Sequence, residues 1–312
     1  MTDQITNVLV LGATGKQGSW VCDALLAEKK FAVYGMTRSA TSSGAKKLEG
    51  KGAHVVEGDM ASQESIESAI KSTQSKYLYI LTLVGTKESE IKAGKAAIDA
   101  AVACSIEFVV FTSVADADVC YDNVTHFKSK LEIENYLKTT TLNYSILRPV
   151  AFLDNFDDPV NYNPLTRGCV KSMWHGDVKV KMVSCRDTGK AAAQMFLHPE
   201  EYKGKTITCV SCDVTGEEVA SALSTVSSEP CKYSMAMPFW VTRILFPDVA
   251  RMVTYLEEKG YSCTDQDIAE FKKIVPDAQD PEAFFIMKGR WSNGEAFGSV
   301  PVASSSKSCS VM

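Results

Sequence analysis

The chain has 312 residues, with 33 Lys+Arg against 38 Asp+Glu, a formal charge of −5, 45% apolar and 23% charged residues. That is room for one large α/β domain, or a nucleotide-sized domain with a smaller companion, at an ordinary globular composition. Basic runs and apolar runs of about 18 residues are both missing, so neither direct nucleic-acid binding nor a membrane span is expected.

The first strand, residues 7–11, rises directly to a glycine, without the apolar core of a signal peptide. Gly12-Ala13-Thr14-Gly15-Lys16-Gln17-Gly18 then spaces three glycines as G-x-x-G-x-x-G ahead of helix-favouring residues 21–27. A strand that breaks on glycine and reopens as a helix makes a phosphate socket. Gly12 permits the turn, Gly15 lets backbone approach a pyrophosphate, and Gly18 lets helix and strand pack closely. The helix start adds unpaired N–H groups and a positive dipole end. This pattern predicts dinucleotide binding.

Residues 31–37 predict a second strand, ending in Arg38-Ser39. The position about 20 residues past the glycine loop reads the adenosine ribose: an acid there accepts from a 2′-OH, a base pairs with a 2′-phosphate. With no Asp or Glu here, the Arg38 fork and the hydroxyls of Ser39 and Thr41 predict NADP(H). Residues 54–59 form a third strand closed by Gly58-Asp59-Met60, which reads as an adenine contact or as a turn; Ser62 and Ser65 are the candidate caps of the next helix.

A fourth strand spans 77–83, ending at Leu83. A helix over 87–103 is expected to bury Ile91, Gly94, Ile98, Ala101 and Val102. Residues 108–113 form a fifth strand ending at Ser113, and a helix over 125–139 leads to a sixth strand, 144–149. Near-continuous apolar strands separated by helices predict a Rossmann-type doubly wound parallel sheet covered on both faces, with ligand beyond the strands' carboxyl ends.

His126 and Lys130 share one face of the fifth helix. Short-chain reductases would carry Tyr and Lys at such a pair, and the tyrosine is missing. Lys130 reads as a ligand of the nicotinamide ribose, or as an i,i+4 partner of Glu134. His126, with no acid nearby in sequence, reads as structural rather than as a proton donor.

The later chain predicts strands at 179–184 and 205–208 and helices at 187–197, 217–224, 249–259 and 264–274, a smaller, mostly helical lobe. Its aromatic stretch from Met235 to Phe246 is a candidate partner surface or lobe core, and Trp174-His175 a candidate pocket lining. The domain reading is 1–152 for the dinucleotide domain, 153–300 for the lobe with segments returning to the sheet, and 301–312 for a flexible tail. Ten cysteines scatter without framework spacing, as reduced thiols would; Cys209-x-x-Cys212 reads as packing, and no metal site is expected. Cys309-Ser310-Val311-Met312 matches a C-a-a-X farnesylation pattern, with Ser310 off pattern. If used, it implies a eukaryotic source and weak membrane association.

The glycine loop, Thr37-Arg38, Gly58-Asp59, His126-Phe127-x-Ser129-Lys130 and Leu147-Arg148-Pro149-x-x-Phe152-x-x-Asn155-Phe156 together resemble the NmrA-like family of atypical short-chain dehydrogenase/reductase relatives. The resemblance runs from residue 5 to about 290, through 183–189 and 196–207, and is closest to the animal redox-sensor branch. It implies NADP(H) held by residues 12–18, Arg38, Asp59, Met60, Lys130 and Phe152-Leu153-Asp154-Asn155; Ser39 and Leu83 join this set from their places at the ends of the second and fourth strands. It also implies two roles. One is a redox sensor acting through regulatory protein partners. The other is a reductase of a quinone or small aromatic carbonyl, for which the F-x-x-K pattern of Phe127–Lys130 makes Lys130 catalytic. A cytoplasmic site is expected, nuclear or peripheral to membranes if Cys309 is lipidated. A homodimer stays open.

Overall fold

The structure is a computed structural model describing residues 5–83, 85–120, 124–159 and 163–298; Cys309 and the tail 301–312 lie outside them. Strand and helix alternate through the first half: β1 (Thr6–Val10), α1 (Lys16–Ala27), β2 (Phe31–Thr37), α2 (Ser43–Gly50), β3 (His54–Glu57), α3 (Gln63–Thr73), β4 (Tyr77–Ile80), α4 (Lys87–Ala103), β5 (Phe108–Thr112), α5 (Thr125–Lys138) and β6 (Tyr144–Pro149). The hydroxyls of Ser42, Ser62 and Thr86 accept from backbone N–H groups of α2, α3 and α4, so Ser62 is the cap of the third helix.

The strands pair in parallel in the order β3-β2-β1-β4-β5-β6, and β10 (Thr206–Cys209) adds the seventh strand beside β6. Successive side chains on a strand point to opposite faces. Val8, Val10, Tyr79 and Val110 therefore enter one core, with Val21 of α1. Leu9, Leu11, Leu78, Ile80, Val109 and Phe111 enter the other, with Ile66, Ile98 and Ile133 of α3, α4 and α5. The strand order reverses between β1 and β4, and a cleft must open there beyond their carboxyl ends.

The second half supplies β7 (Ala151–Phe152), a 3-10 turn (Leu153–Phe156), β8 (Cys169–Ser172), β9 (Lys179–Val183), α6 (Cys185–Leu197), α7 (Pro199–Tyr202), then after β10 β11 (Cys212–Thr215), α8 (Gly216–Ser227), β12 (Lys232–Met235), α9 (Phe239–Leu245), α10 (Pro247–Glu258), α11 (Asp265–Ile274) and α12 (Pro281–Lys288). Besides the expected helices it holds two small sheets, β11-β9-β7 and β12-β8; β9 is the strand expected at 179–184, and the other four are too short to show a period in sequence. Cys209 and Cys212 lie on strands of different sheets. Burial pushes both thiols up, Cys212 to about 12, so each is a protonated packing group.

Two expectations change. Helix α4 turns Glu90 inward at 2% exposure, while Ile91 is only half-buried and Val102 is 43% exposed. Glu134 does not pair with Lys130: it accepts from Arg148 through Nε at 2.9 Å and Nη2 at 2.7 Å, and Lys138 Nζ lies 3.2 Å away. A bidentate guanidinium from β6 neutralises that buried carboxylate better than one ammonium on the same helix.

The lobe is fastened to the sheet domain by two carboxylates. Asp116, with φ of +58°, accepts from Tyr255 Oη at 2.8 Å, from Ser262 N at 2.8 Å and from the Ser262 hydroxyl. Asp248, in the first turn of α10, accepts from Thr125 N and from His126 Nδ1, each at 2.7 Å. His126 therefore has an acid beside it after all, supplied by a helix more than a hundred residues later in the chain.

Burial works against the ionised form of Asp248, yet the bonds from His126 and Thr125 hold its carboxyl down, from the ordinary 3.8 to about 2. A carboxylate whose folded value is depressed adds stability above its unfolded value, and that stability is lost as pH falls toward the folded one. Asp248→Asn should therefore lower the melting temperature at pH 6, with the gap to wild type closing as pH drops from 4 toward 2. A pH-independent gap in calorimetric melts would show that the charge is not what fastens the lobe.

Candidate dinucleotide site

The turn between β1 and α1 is built on close approach. Gly12 has φ of +63°, the left-handed region that side chains disfavour. A Cβ on Gly18 would stand 2.3 Å from the Gly12 carbonyl oxygen, so the first turn of α1 can sit on the end of β1 only with glycine there. Gly15 is the N-cap of α1, has no side-chain cap, and is followed by no acid in the first turn. The helix thus presents unpaired amides and the positive end of its dipole. Ala13 is buried and Thr14 exposed at the tip of the loop.

The loop is tied to its surroundings by its own side chains. Gln17 Oε1 accepts from Thr112 Oγ1 at 3.1 Å, which joins α1 to the end of β5. Lys16 Nζ donates to the Asp154 carbonyl at 3.1 Å and pairs with Asp158 at 3.0 Å. That bridge brings the segment after β7 against the glycine loop. In it Leu153 is buried, Phe152 half-buried and Asn155 exposed. Burial raises the Asp154 carboxyl, which accepts from Cys185 N at 2.8 Å.

Beyond β2, Arg38 is exposed and has no ion pair among the described residues. Ser39 Oγ and Thr41 Oγ1 lie 3.2 Å apart, and Ala40 N donates to Glu57 Oε2 at 3.1 Å. Asp59 serves its own turn: Oδ1 accepts from Ala61 N and its N donates to Ser65 Oγ, both at 2.9 Å. Met60 is half-buried beside it, and Leu83 is 60% exposed past the end of β4.

Lys130 lies at the ends of β4 and β5. Its Nζ donates to Thr82 Oγ1 at 2.6 Å, stands 3.2 Å from Glu90 Oε1 and 3.5 Å from the Thr112 carbonyl. Burial lowers its pKa, and the Glu90 charge opposes that shift. Ser113, next to Thr112, is buried with no partner for its hydroxyl among the described residues. An orphaned buried hydroxyl calls for a ligand or water.

Thr82, Glu90 and Ser113 carried no assigned role in the sequence reading. Ser113 alone had a signal, its place at a strand end. Trp174 is buried with its ring edge-on to Phe156 at 6.4 Å, and exposed His175 pairs with Glu257 at 2.7 Å, so this dipeptide belongs to the lobe's packing and surface.

The carboxyl edge of the sheet therefore combines an uncapped helix start over a glycine turn, a guanidinium with no ion pair among the described residues, a buried ammonium and an orphaned hydroxyl. It suits a long anionic ligand with a polar far end. The fold recurs in solved structures. The negative transcriptional regulator NmrA in complex with NADP superposes with a TM-score of 0.71 at 16% identity, over 90% of this chain and 94% of that one. Citrobacter sp. triphenylmethane reductase complexed with NADP(H) gives 0.71 at 21%, over 89% and 98%. A curated relative, an NmrA-like family domain-containing oxidoreductase of Aspergillus flavus, is 27% identical over 256 residues, 75% of this chain and 76% of its own. The profile of the NmrA-like family matches residues 4–276. The chain belongs to the NmrA-like family.

Proposed function

We propose that the protein binds NADP(H) across the β1/β4 switch point and acts as a redox sensor that reports the state of this nucleotide to a protein partner. The diphosphate would lie on the amides of the glycine loop. Arg38, with Ser39 and Thr41, would take the 2′-phosphate, while Lys130 and Ser113 would face the nicotinamide ribose. Asp59-Met60 and Leu83 would flank the adenine side, and the segment from Phe152 to Asn155 the side of the glycine loop. The coenzyme supplies hydride chemistry; the residues present hold and orient it.

One observation carries the sensor reading. The position where short-chain reductases keep a proton-donating tyrosine is His126, and its Nδ1 is engaged by Asp248 at the lobe joint. That imidazole fastens two parts of the molecule together. In addition, α9 and the residue after it leave Trp240, Ile244, Leu245 and Phe246 between 45% and 70% exposed. An apolar cluster of that kind on a protein surface marks a contact with something else. It lies immediately before Asp248, so the joint at His126 borders the surface a partner would meet.

The second reading is an NADPH-dependent reductase of a quinone or aromatic carbonyl. It is favoured by Lys130 in its F-x-x-K pattern, with Lys130 as the group next to the reacting carbonyl. Stopped-flow absorbance separates the two. NADPH bound to the protein should keep its 340 nm band through a panel of quinones, dyes and aldehydes, whereas oxidation at enzyme-like rates would establish the reductase.

Arg38→Asp tests the 2′-phosphate assignment. Loss of a charge-assisted fork and gain of a repelling carboxylate should weaken NADPH by roughly 10- to 100-fold while leaving NADH little changed. Equal NADPH affinity in calorimetry would remove Arg38 from the site.

A further inference from the structure

Glu90 has no place in any motif, yet three donors converge on it. It lies on the inward face of α4 at 2% exposure. Thr82 Oγ1 donates to its Oε1 at 2.8 Å, the Ser129 hydroxyl donates to its Oε2, and Lys130 Nζ stands 3.2 Å from Oε1. Thr82 Oγ1 also accepts from Lys130 at 2.6 Å, so carboxylate, hydroxyl and ammonium close a small ring. The elements involved are the end of β4, the first turn of α4 and the first two turns of α5, which meet at the cleft.

We propose that Glu90 is a positioning residue: it fixes the Lys130 ammonium, charged, at the nicotinamide end of the dinucleotide cleft. This rests on the reading above, in which Lys130 touches the coenzyme. The physical case is that an ammonium this deeply buried loses the hydration that keeps it protonated. Glu90 is the charged group set against it. Among the described residues the other groups in contact with the Lys130 ammonium are Thr82 just past β4 and Thr112 and Phe111 from β5, and none of them titrates. A lysine held by a carboxylate on one side and a threonine on the other is a fixed cation, suited to holding a ribose hydroxyl. As a proton donor it is poor, because giving up its proton would strand Glu90 as an unpaired buried charge. The same pair thus accounts for a site that binds the coenzyme and lacks a general acid.

The test is NADPH binding by calorimetry from pH 6 to 9, with 2′,5′-ADP as a probe of the adenosine end alone. Wild type should bind NADPH with little change over that range. Glu90→Gln should bind close to wild type at pH 6 and roughly tenfold or more weaker at pH 9, because the uncompensated amine gives up its proton. Glu90→Asp, which keeps the charge, should keep the flat profile even at lower affinity. All variants should bind 2′,5′-ADP as wild type does.

Glu90→Gln binding NADPH like wild type at every pH would overturn the proposal, and so would an equal loss of 2′,5′-ADP, which would make Glu90 a support of the whole fold. Lys130→Met separates this from the reading beneath it. If that variant binds NADPH like wild type, Lys130 is not a coenzyme ligand at all. If it weakens NADPH while Glu90→Gln does not, the site stands and only the role of Glu90 falls.

Discussion

The closest backbone approach in the site shapes what surrounds it. Because a Cβ at Gly18 would stand 2.3 Å from the Gly12 carbonyl, α1 can begin directly over the end of β1. That contact aims the free amides of the first turn at the gap where the strand order reverses. It also decides what else can come near. Lys16 and Gln17, forced onto the first turn, reach the Asp154 carbonyl on one side and the Thr112 hydroxyl on the other. The turn therefore acts as the hub between β5 and the segment that follows β7. A looser turn would leave the same residues in sequence and no cleft between them.

Around that hub the interior is organised by buried charge as much as by apolar packing. Glu90 with Lys130 and Glu134 with Arg148 are each joined across elements, at under 3.5 Å and with the carboxylates essentially out of solvent. Pairs of this kind add little net stability over an apolar replacement, but breaking one leaves an expensive orphan. Their effect is on geometry. Arg148 locks α5 to β6, Glu90 locks α5 to α4, and Lys130, which sits between them, has little freedom left. The fixed position of Lys130 follows from charges that cannot be left alone.

The parts legible in sequence were those governed by local rules. The alternation of the first half, the glycine loop and the free arginine after β2 all follow from backbone geometry or short-range pattern, and α4 begins and ends where its period placed it. The pattern misled where a distant partner overrode it. An amphipathic reading of α4 puts Ile91 inward; the ammonium of α5 draws Glu90 in instead. An i,i+4 reading pairs Lys130 with Glu134, but Arg148 competes for that carboxylate with two bonds. His126 looked isolated because Asp248 belongs to a helix no local window could include. Of the strands in the small sheets only β9 showed in sequence; the other four were hidden for another reason, being only two to four residues long.

These overrides bear on how the molecule would use a bound coenzyme. Lys130 is fixed by α4 and α5, and α5 begins at Thr125 and His126, the residues that hold Asp248 of α10. The helix preceding α10 carries the exposed Trp240, Ile244 and Leu245. A chain of contacts thus runs from Lys130 along α5 and across the bond between His126 and Asp248 to the helix that follows these exposed residues. Coupling between two sites requires an element whose two arrangements each site can bias. Helix α5 is the element positioned to be that: its lysine faces the cleft and its first turn faces the lobe joint. On the sensor reading proposed above, that helix would carry the state of the coenzyme to the partner surface.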